Sequence, residues 1–309
     1  MTFAPIALFT YSRADHTRQA IESLKKNQEA ADSHLFIFSD GPKNEKAVEG
    51  VRKNREYIHS VNGFKTVTII EREKNWGLAK SLISGITEIT DKFGKVIVVE
   101  DDLVLSPFFL KYMNDGLEKY KDDDRVASIS AFLNPIEGEV PESFFLRYFA
   151  CWGWATWKRS WDLLNTDSRH LIKQLRWKTN EFNIGGNGPF YGILYCDKVG
   201  LNDSWAVRFY ASCFLAGKLH LFPGKTMAIQ TGMDGSGTHC GDNGSKNPFF
   251  GMRPSSSPVF LKDIPVEENK KMYKAFSSFY RKSSEVSLSK AWYLRFKSFV
   301  RRVIGLDHK

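Results

Sequence analysis

The stretch KVIVVEDDLVLSPFF, residues 95–109, decides the fold. Four consecutive apolar residues, Val96, Ile97, Val98 and Val99, run into three consecutive acids, Glu100, Asp101 and Asp102, before the sequence turns apolar again. A β-branched run with no polar face reads as a strand covered on both sides, as in the parallel sheet of an α/β domain. The acids then stand at its carboxyl end, where open α/β sheets gather their ligands. Three like charges so close repel, and drying any of them is costly, so the arrangement calls for a cation or a set of backbone amides nearby. A plainer role is open as well, since Asp102 or Ser106 alone would cap a helix starting near Pro107. A cap requires one such residue, however, and three acids are present.

Towards the amino terminus, strand-like and helix-like segments alternate. IALFTYS, TRQAIESLKKN, HLFIFSDG, EKAVEGVRKNREYIHSV, TVTIIERE and GLAKSLISGITEITDKF lead in turn to KVIVVEDD. The alternation predicts βαβ units with right-handed crossovers and a mainly parallel sheet with helices on both faces. From about Val126 the texture changes to short strands, many aromatics and glycine-rich loops such as NIGGNGPF and QTGMDGSGTHCGDNG. The expected organisation is an α/β lobe over 1–125, a second lobe over 126–258 and a basic helical tail over 259–309.

With 309 residues and 42% hydrophobic content, the chain is long enough to bury a substantial core, and disorder is excluded. A formal charge of +9 favours a polyanionic partner: a nucleotide diphosphate, nucleic acid or an anionic membrane face. Nucleic acid fits poorly, because a polyanion track should not cross three carboxylates. Cys151, Cys196, Cys213 and Cys240 form no CxxC pair, which argues against a zinc site or a dense disulfide framework and for a reducing, cytoplasmic setting. The apolar start FAPIALFTYSRAD reads as a first strand and not as a signal peptide, and no run is long enough to span a bilayer. In SKAWYLRFKSFVRRVIGLDHK, aromatic and aliphatic residues recur at helical spacing among arginines and lysines. That pattern reads as an interfacial helix on an anionic membrane surface, on the inner face, or as a terminal helix docked on the protein itself.

Three more strand ends carry polar groups. The first ends in Thr10, Tyr11, Ser12 and Arg13, the second in Ser39, Asp40 and Gly41, and the third leads into REKNWGLAKSL. There Asn75 and Gly77 precede a helix whose amino-terminal amides can take an anion, with Lys80 adding positive charge. Each has a plain counterpart: Asp40-Gly41 as a turn, Asn75 as a cap. If the strands are parallel, all four ends face one crevice, and a nucleotide diphosphate with a divalent metal fits that inventory.

On these residues the sequence resembles the nucleotide-sugar glycosyltransferases of GT-A fold, over roughly Ile6 to His239. VVEDDLVLSPFFLKYM looks like the metal-binding acidic motif of the N-acetylglucosaminyltransferase I group, and NWGLAKSLISGI is similar to the Asn-X-Gly-X-Ala pattern of bacterial family-two transferases. The resemblance implies that Asp102 binds the metal, with Asp101 and Glu100 supporting it and touching the ribose or sugar. It further implies that Asp40 bonds uracil, that Thr10 and Arg13 flank the nucleotide, and that His239 completes the metal or diphosphate site. The cofactor would be Mn2+ or Mg2+, the donor a UDP-sugar, and the acceptor a saccharide or lipid-linked saccharide. Inverting members place a base just before a helix, which here points to Asp203 in GLNDSWAVRFYASCFLAGK, where paired acids have become Asn202-Asp203 ahead of Trp205. Asp203 as a helix cap is the alternative. In CWGWATWKRSW, Trp152, Trp154 and Trp157 are candidates for a sugar platform, as is Trp205 further on, and Gly153 would let backbone approach the ligand; packing of the second lobe is the alternative for the tryptophans. A sugar-1-phosphate nucleotidyltransferase would want a glycine-rich loop after the first strand, and LFTYSRADH has no glycine. A non-catalytic protein of the same fold stays open on sequence alone.

Overall fold

The computed structural model describes residues 3–232, 248–249 and 251–283. Strands β1 (Ile6–Thr10), β2 (His34–Ser39), β3 (Thr66–Glu71) and β4 (Lys95–Glu100) alternate with helices α1 (Ala14–Lys25), α2 (Glu45–His59) and α3 (Leu78–Phe93). These strands lie in the order β3-β2-β1-β4, all parallel. Thr10 stands level with Ser39, Ser39 with Glu71 and Phe9 with Glu100, so the four carboxyl ends share one rim. Along β4, Val96 and Val98 enter the core on one side of the sheet and Ile97 and Val99 the core on the other, which is why the strand has no polar face. Helix α3 stops at Gly94, whose φ of 75° no branched residue accepts cheaply and whose N–H bonds the Thr90 carbonyl at 2.8 Å.

Beyond β4 the sheet continues with strands from the second half of the chain. After β5 (Leu103–Leu105) and α4 (Phe109–Lys119) come β6 (Val126–Ser130), β7 (Ser143–Leu146) and β8 (Trp154–Trp157). Next follow α5 (Lys158–Trp161), α6 (Ser168–Leu175), α7 (Thr179–Phe182), α8 (Phe190–Lys198), α9 (Trp205–Leu215), β9 (Leu219–Pro223) and β10 (Ala228–Gln230). β8 lies between β4 and β6, antiparallel to both; β9 runs parallel to β6, and β7 closes the far edge against β9. The result is one eight-stranded sheet, with β5 and β10 pairing antiparallel in a separate ribbon. Strands from both sides of position 125 join that one sheet.

Helices α1, α2 and α4 cover one face through Ile21, Leu24, Ile58, Phe109 and Leu117. Helices α3 and α9 cover the other through Leu82, Ile86, Phe209 and Phe214. The fold is the mainly parallel α/β architecture that the strand and helix alternation predicts, and it is consistent with the GT-A type that the resemblance implies. A last helix, α10, spans 270–283 and seats Met272 and Phe276 with Phe144 and Phe222. Among the described residues no helix is long and apolar enough to cross a membrane. The basic stretch 284–309 lies outside the described residues.

Candidate active site

The rim where β1 and β4 end together gathers the acids. Asp101, only 5% exposed, accepts hydrogen bonds from the Tyr11 N–H at 3.3 Å and from Arg13 Nη2 at 2.5 Å. The same Nη2 donates to Asp102 Oδ2 at 2.9 Å. From the opposite side, the Thr231 N–H and hydroxyl donate to the Asp102 carbonyl at 2.7 and 3.0 Å, and Gln230 Nε2 lies 3.4 Å from Asp102 Oδ2. At Gly232 a Cβ would fall 2.5 Å from Asp102 Oδ2 and 2.7 Å from Arg13 Nη1, so a larger residue there would have to displace the ends of both side chains. Gln230, Thr231 and Gly232 open the glycine-rich stretch QTGMDGSGTHCGDNG, in which sequence reasoning named only His239 for the site. Their signal is topological: Gln230 ends β10, which pairs with β5 directly after the acids, and Thr231 and Gly232 come next. Asp102 does not cap α4, whose first turn has no side-chain cap; Ser106 Oγ instead accepts from the Phe108 N–H at 3.1 Å.

Among the described residues one guanidinium faces three carboxyl groups, fewer positive charges than would balance them if all were ionised. Burial, followed by Asp102 and Asp101, pushes the Glu100 carboxyl up to about 8, with Arg13 opposing. Burial likewise raises Asp101, and again Arg13 opposes. Hard oxygen donors with excess negative charge suit Mg2+ or Mn2+, ions that take one or two carboxylates and complete their shell with substrate phosphates and water. Among the described residues no three acids, histidines or cysteines group tightly enough to cage an ion unaided. The fit is therefore to an ion shared with a substrate. His239 lies outside the described residues.

Asp40 is placed differently from an open nucleobase acceptor. It is 6% exposed, and its oxygens accept from the N–H groups of Gly41 at 2.9 Å, Trp76 at 2.8 and 3.1 Å and Gly77 at 2.9 Å, and from Asn75 Nδ2 at 3.0 Å. A carboxylate offers about four acceptor directions, and these contacts fill them. Asp40 thus clasps the segment leading into α3 through the Trp76 and Gly77 amides, which lie just ahead of the helix amides expected to take an anion. Asn75 belongs to the same clasp, donating also to the Gly41 carbonyl at 2.8 Å. A Cβ at Gly41 would lie 2.6 Å from the Lys74 carbonyl carbon, which keeps the two loops in contact. Thr10 is buried, its hydroxyl bonded by Asn54 Nδ2 from α2 and lying 3.4 Å from Thr17 of α1, so its side chain ties helices to β1. Tyr11 turns its hydroxyl to the Lys43 N–H at 2.9 Å.

Lys80 and Asp203 line one open cleft of about 330 Å3 with Arg208 and Thr166. Lys80 Nζ sits 4.6 Å from the centre of the Trp76 ring, and the Arg72 guanidinium lies 4.0 Å from that same centre. Ser204, not Asp203, caps α9, accepting from the Val207 N–H at 3.4 Å. Asp203 Oδ1 accepts from Arg208 Nη2 at 2.7 Å, and its side chain is 69% exposed. Arg208 is anchored in turn by buried Asp197 at 2.9 and 3.0 Å, a network that sequence reasoning missed because its members span α8 and α9.

The tryptophans divide. Trp154, Trp205 and Trp157 are packed in the core, 0%, 4% and 6% exposed, with Trp154 stacked on Trp205 at 5.6 Å and Trp157 Nε1 donating to the Leu117 carbonyl at 3.2 Å, so none of the three is a sugar platform. Gly153 is also enclosed: a Cβ there would meet Ala228, Phe109 and Ala131 at 3.2–3.3 Å, and its φ of 71° serves the turn into β8. Trp152 alone of the four lines an aromatic cavity of about 340 Å3, with Phe132, Tyr148, Phe190 and Ser204. Cys151 lines it too, and its thiol is pushed up by burial and then by Glu100, with a smaller push from Asp102, which places the cavity beside the acids.

An open, mostly parallel α/β sheet with acids at the end of its fourth strand fits the GT-A class of glycosyltransferase. Residues 6–187 match the glycosyl transferase family 2, and the chain belongs to that family, whose chemistry is glycosyl transfer. No curated protein matches the chain. Among solved structures, the mannosyltransferase PcManGT from Pyrobaculum calidifontis, in complex with GDP-Man and Mn2+, is 13% identical, with 69% of this chain and 74% of that one covered and a TM-score of 0.35. TarS from S. aureus is 16% identical over 47% of this chain and 24% of its own length, at a TM-score of 0.32. A putative glucose-1-phosphate thymidylyltransferase from Bacillus anthracis is 10% identical, with 52% and 74% covered, also at 0.32. Likenesses this low carry no argument about substrate.

Proposed function

We propose that the chain transfers a sugar from a nucleoside diphosphate donor, UDP-sugar first, to a hydroxyl of a saccharide or lipid-linked saccharide, with a divalent ion and with inversion. The observation that carries this reading is the acid cluster at the end of β4, three carboxyl groups of which two pair with Arg13 among the described residues. Asp102 would hold the ion together with the donor's phosphates, supported by Glu100 and Asp101. When bound, a divalent ion neutralises charge developing on the departing diphosphate. Lys80, at the start of α3, adds positive charge to the same rim. The half of the chain up to 125 would hold the donor, and 126–258, with the cavity beside Trp152, the acceptor. Asp203 takes the proton from the acceptor hydroxyl, whose oxygen attacks the anomeric carbon from the face opposite the diphosphate. The anomeric carbon–oxygen bond to the phosphate breaks, and the nucleoside diphosphate leaves with that electron pair.

A thermal-shift screen of UDP-, GDP- and dTDP-sugars with and without Mn2+ tests the reading, since a ligand that binds the native state raises its apparent stability. A melting rise with one nucleotide sugar that disappears with chelator is expected. No rise with any of them counts against the donor site. The basic, aromatic pattern of residues 289–309 supports an anionic membrane as the place where a lipid-linked acceptor is met. Co-sedimentation with anionic vesicles should fall on removing 291–309; unchanged binding would reject that role.

A further inference from the structure

Arg13 stands where a metal ion would compete for Asp102. Its Nη2 lies 2.5 Å from Asp101 Oδ1 and 2.9 Å from Asp102 Oδ2, while Nη1 is buried with no hydrogen-bond partner among the described residues. The backbone there is fixed: the Arg13 carbonyl accepts from the Thr17 N–H at 3.0 Å and the Thr17 hydroxyl at 3.1 Å as α1 begins. The guanidinium, on a side chain 21% exposed, can therefore move only by its own rotamers. Gly232 leaves it just enough room beside Asp102.

We propose that Arg13 is a built-in counter-cation that holds Asp101 and Asp102 in the donor-free protein and yields Asp102 only when a divalent ion arrives with a diphosphate. The proposal rests on the metal and diphosphate reading above. A bare ion must push the guanidinium off Asp102, against the repulsion of like charges and at the cost of weakening a largely buried ion pair. An ion that arrives with a diphosphate brings anionic oxygens, and the unpartnered Nη1 is a donor ready for one of them. Asp101 keeps the Tyr11 N–H and stays in place as Arg13 turns. Metal and nucleotide then bind synergistically, each tightening the other by the same factor.

The test is Mn2+ titration of the full chain, followed by electron paramagnetic resonance, alone and with UDP or GDP. Wild type should bind Mn2+ about tenfold or more weakly without nucleotide than with it, within the usual range of such coupling. Arg13→Gln, which removes the charge, should bind bare Mn2+ about tenfold more tightly than wild type and lose most of the synergy. Arg13→Lys should stay near wild type. Equal affinity of wild type and Arg13→Gln for bare Mn2+ overturns the proposal. So does a wild-type affinity that neither nucleotide changes, a comparison that stands even if Arg13→Gln fails to fold. Retention of no Mn2+ by any of these proteins, with or without nucleotide, sinks the metal reading itself, whereas equal retention by all removes only the role of Arg13.

Discussion

Asp203 can lose its charge without stranding Arg208, because Asp197 keeps two bonds to that guanidinium. Asp203→Asn should therefore fold normally and still bind donor while losing about 10²–10⁴-fold in turnover, the usual contribution of a positioned base. Steady-state kinetics beside a melting curve checks this, and full turnover would dismiss the assignment. Asp203 was legible because a polar residue before an apolar helix is a visible pattern. Its partner Arg208 sits five positions on, and Asp197 belongs to another helix, so the ion pairs were not legible. The same holds for Arg13, whose carboxylate partners are 88 and 89 residues away in sequence.

Helix α3 shows how an element is set by something outside itself. Its amino-terminal approach is held by the Asp40 carboxylate at the end of β2, which satisfies the N–H groups of Trp76 and Gly77. Bonds from amides to a buried charge are among the stronger ones, so Asp40→Ala should cost about 3 kcal/mol of stability. Urea unfolding measures that loss. A variant that unfolds like wild type yet no longer binds donor would return Asp40 to the nucleobase. The strands and helices around it were readable from periodicity, since hydrophobic spacing is a local property. What periodicity does not convey is where an aromatic ends up. Trp152 and Trp154 are two residues apart, yet one lines a cavity and the other is sealed against Trp205, because Gly153 between them, at a φ of 71°, turns the chain before β8 begins.

At the scale of the molecule, the buried ionisable groups shape stability against pH. His220 on β9 is 0% exposed, with Nδ1 2.7 Å from Ser128 Oγ and the Phe149 ring 5.4 Å away, and burial lowers its pKa to about 3. It is thus neutral in the folded protein, whereas the unfolded chain takes up the proton near 6.5. Its contribution is complete above pH 6.5 and declines as pH falls towards 3, by about 1.4 kcal/mol per unit. Glu100 acts in the opposite sense, its raised carboxyl weakening the fold as pH climbs from about 4 to 8. The readout is consequently the difference between wild type and His220→Gln, not either curve alone. Between pH 7.5 and 5 that difference should shift by about 2 kcal/mol in favour of the variant, followed by urea midpoints; parallel curves would argue against a neutral buried His220.

The position of β8 between β4 and β6 also matters while the polypeptide is being made. Until residues 154–157 leave the ribosome, the outer edge of β4 has no neighbour, and its unpaired amides beside an apolar strand invite chaperones or other nascent chains. The acid motif at that edge gains its opposing wall, Gln230 to Gly232, later still. The half proposed to hold the donor is therefore translated well before the wall that closes its acid motif, and an interrupted product would be sticky before it was ever active.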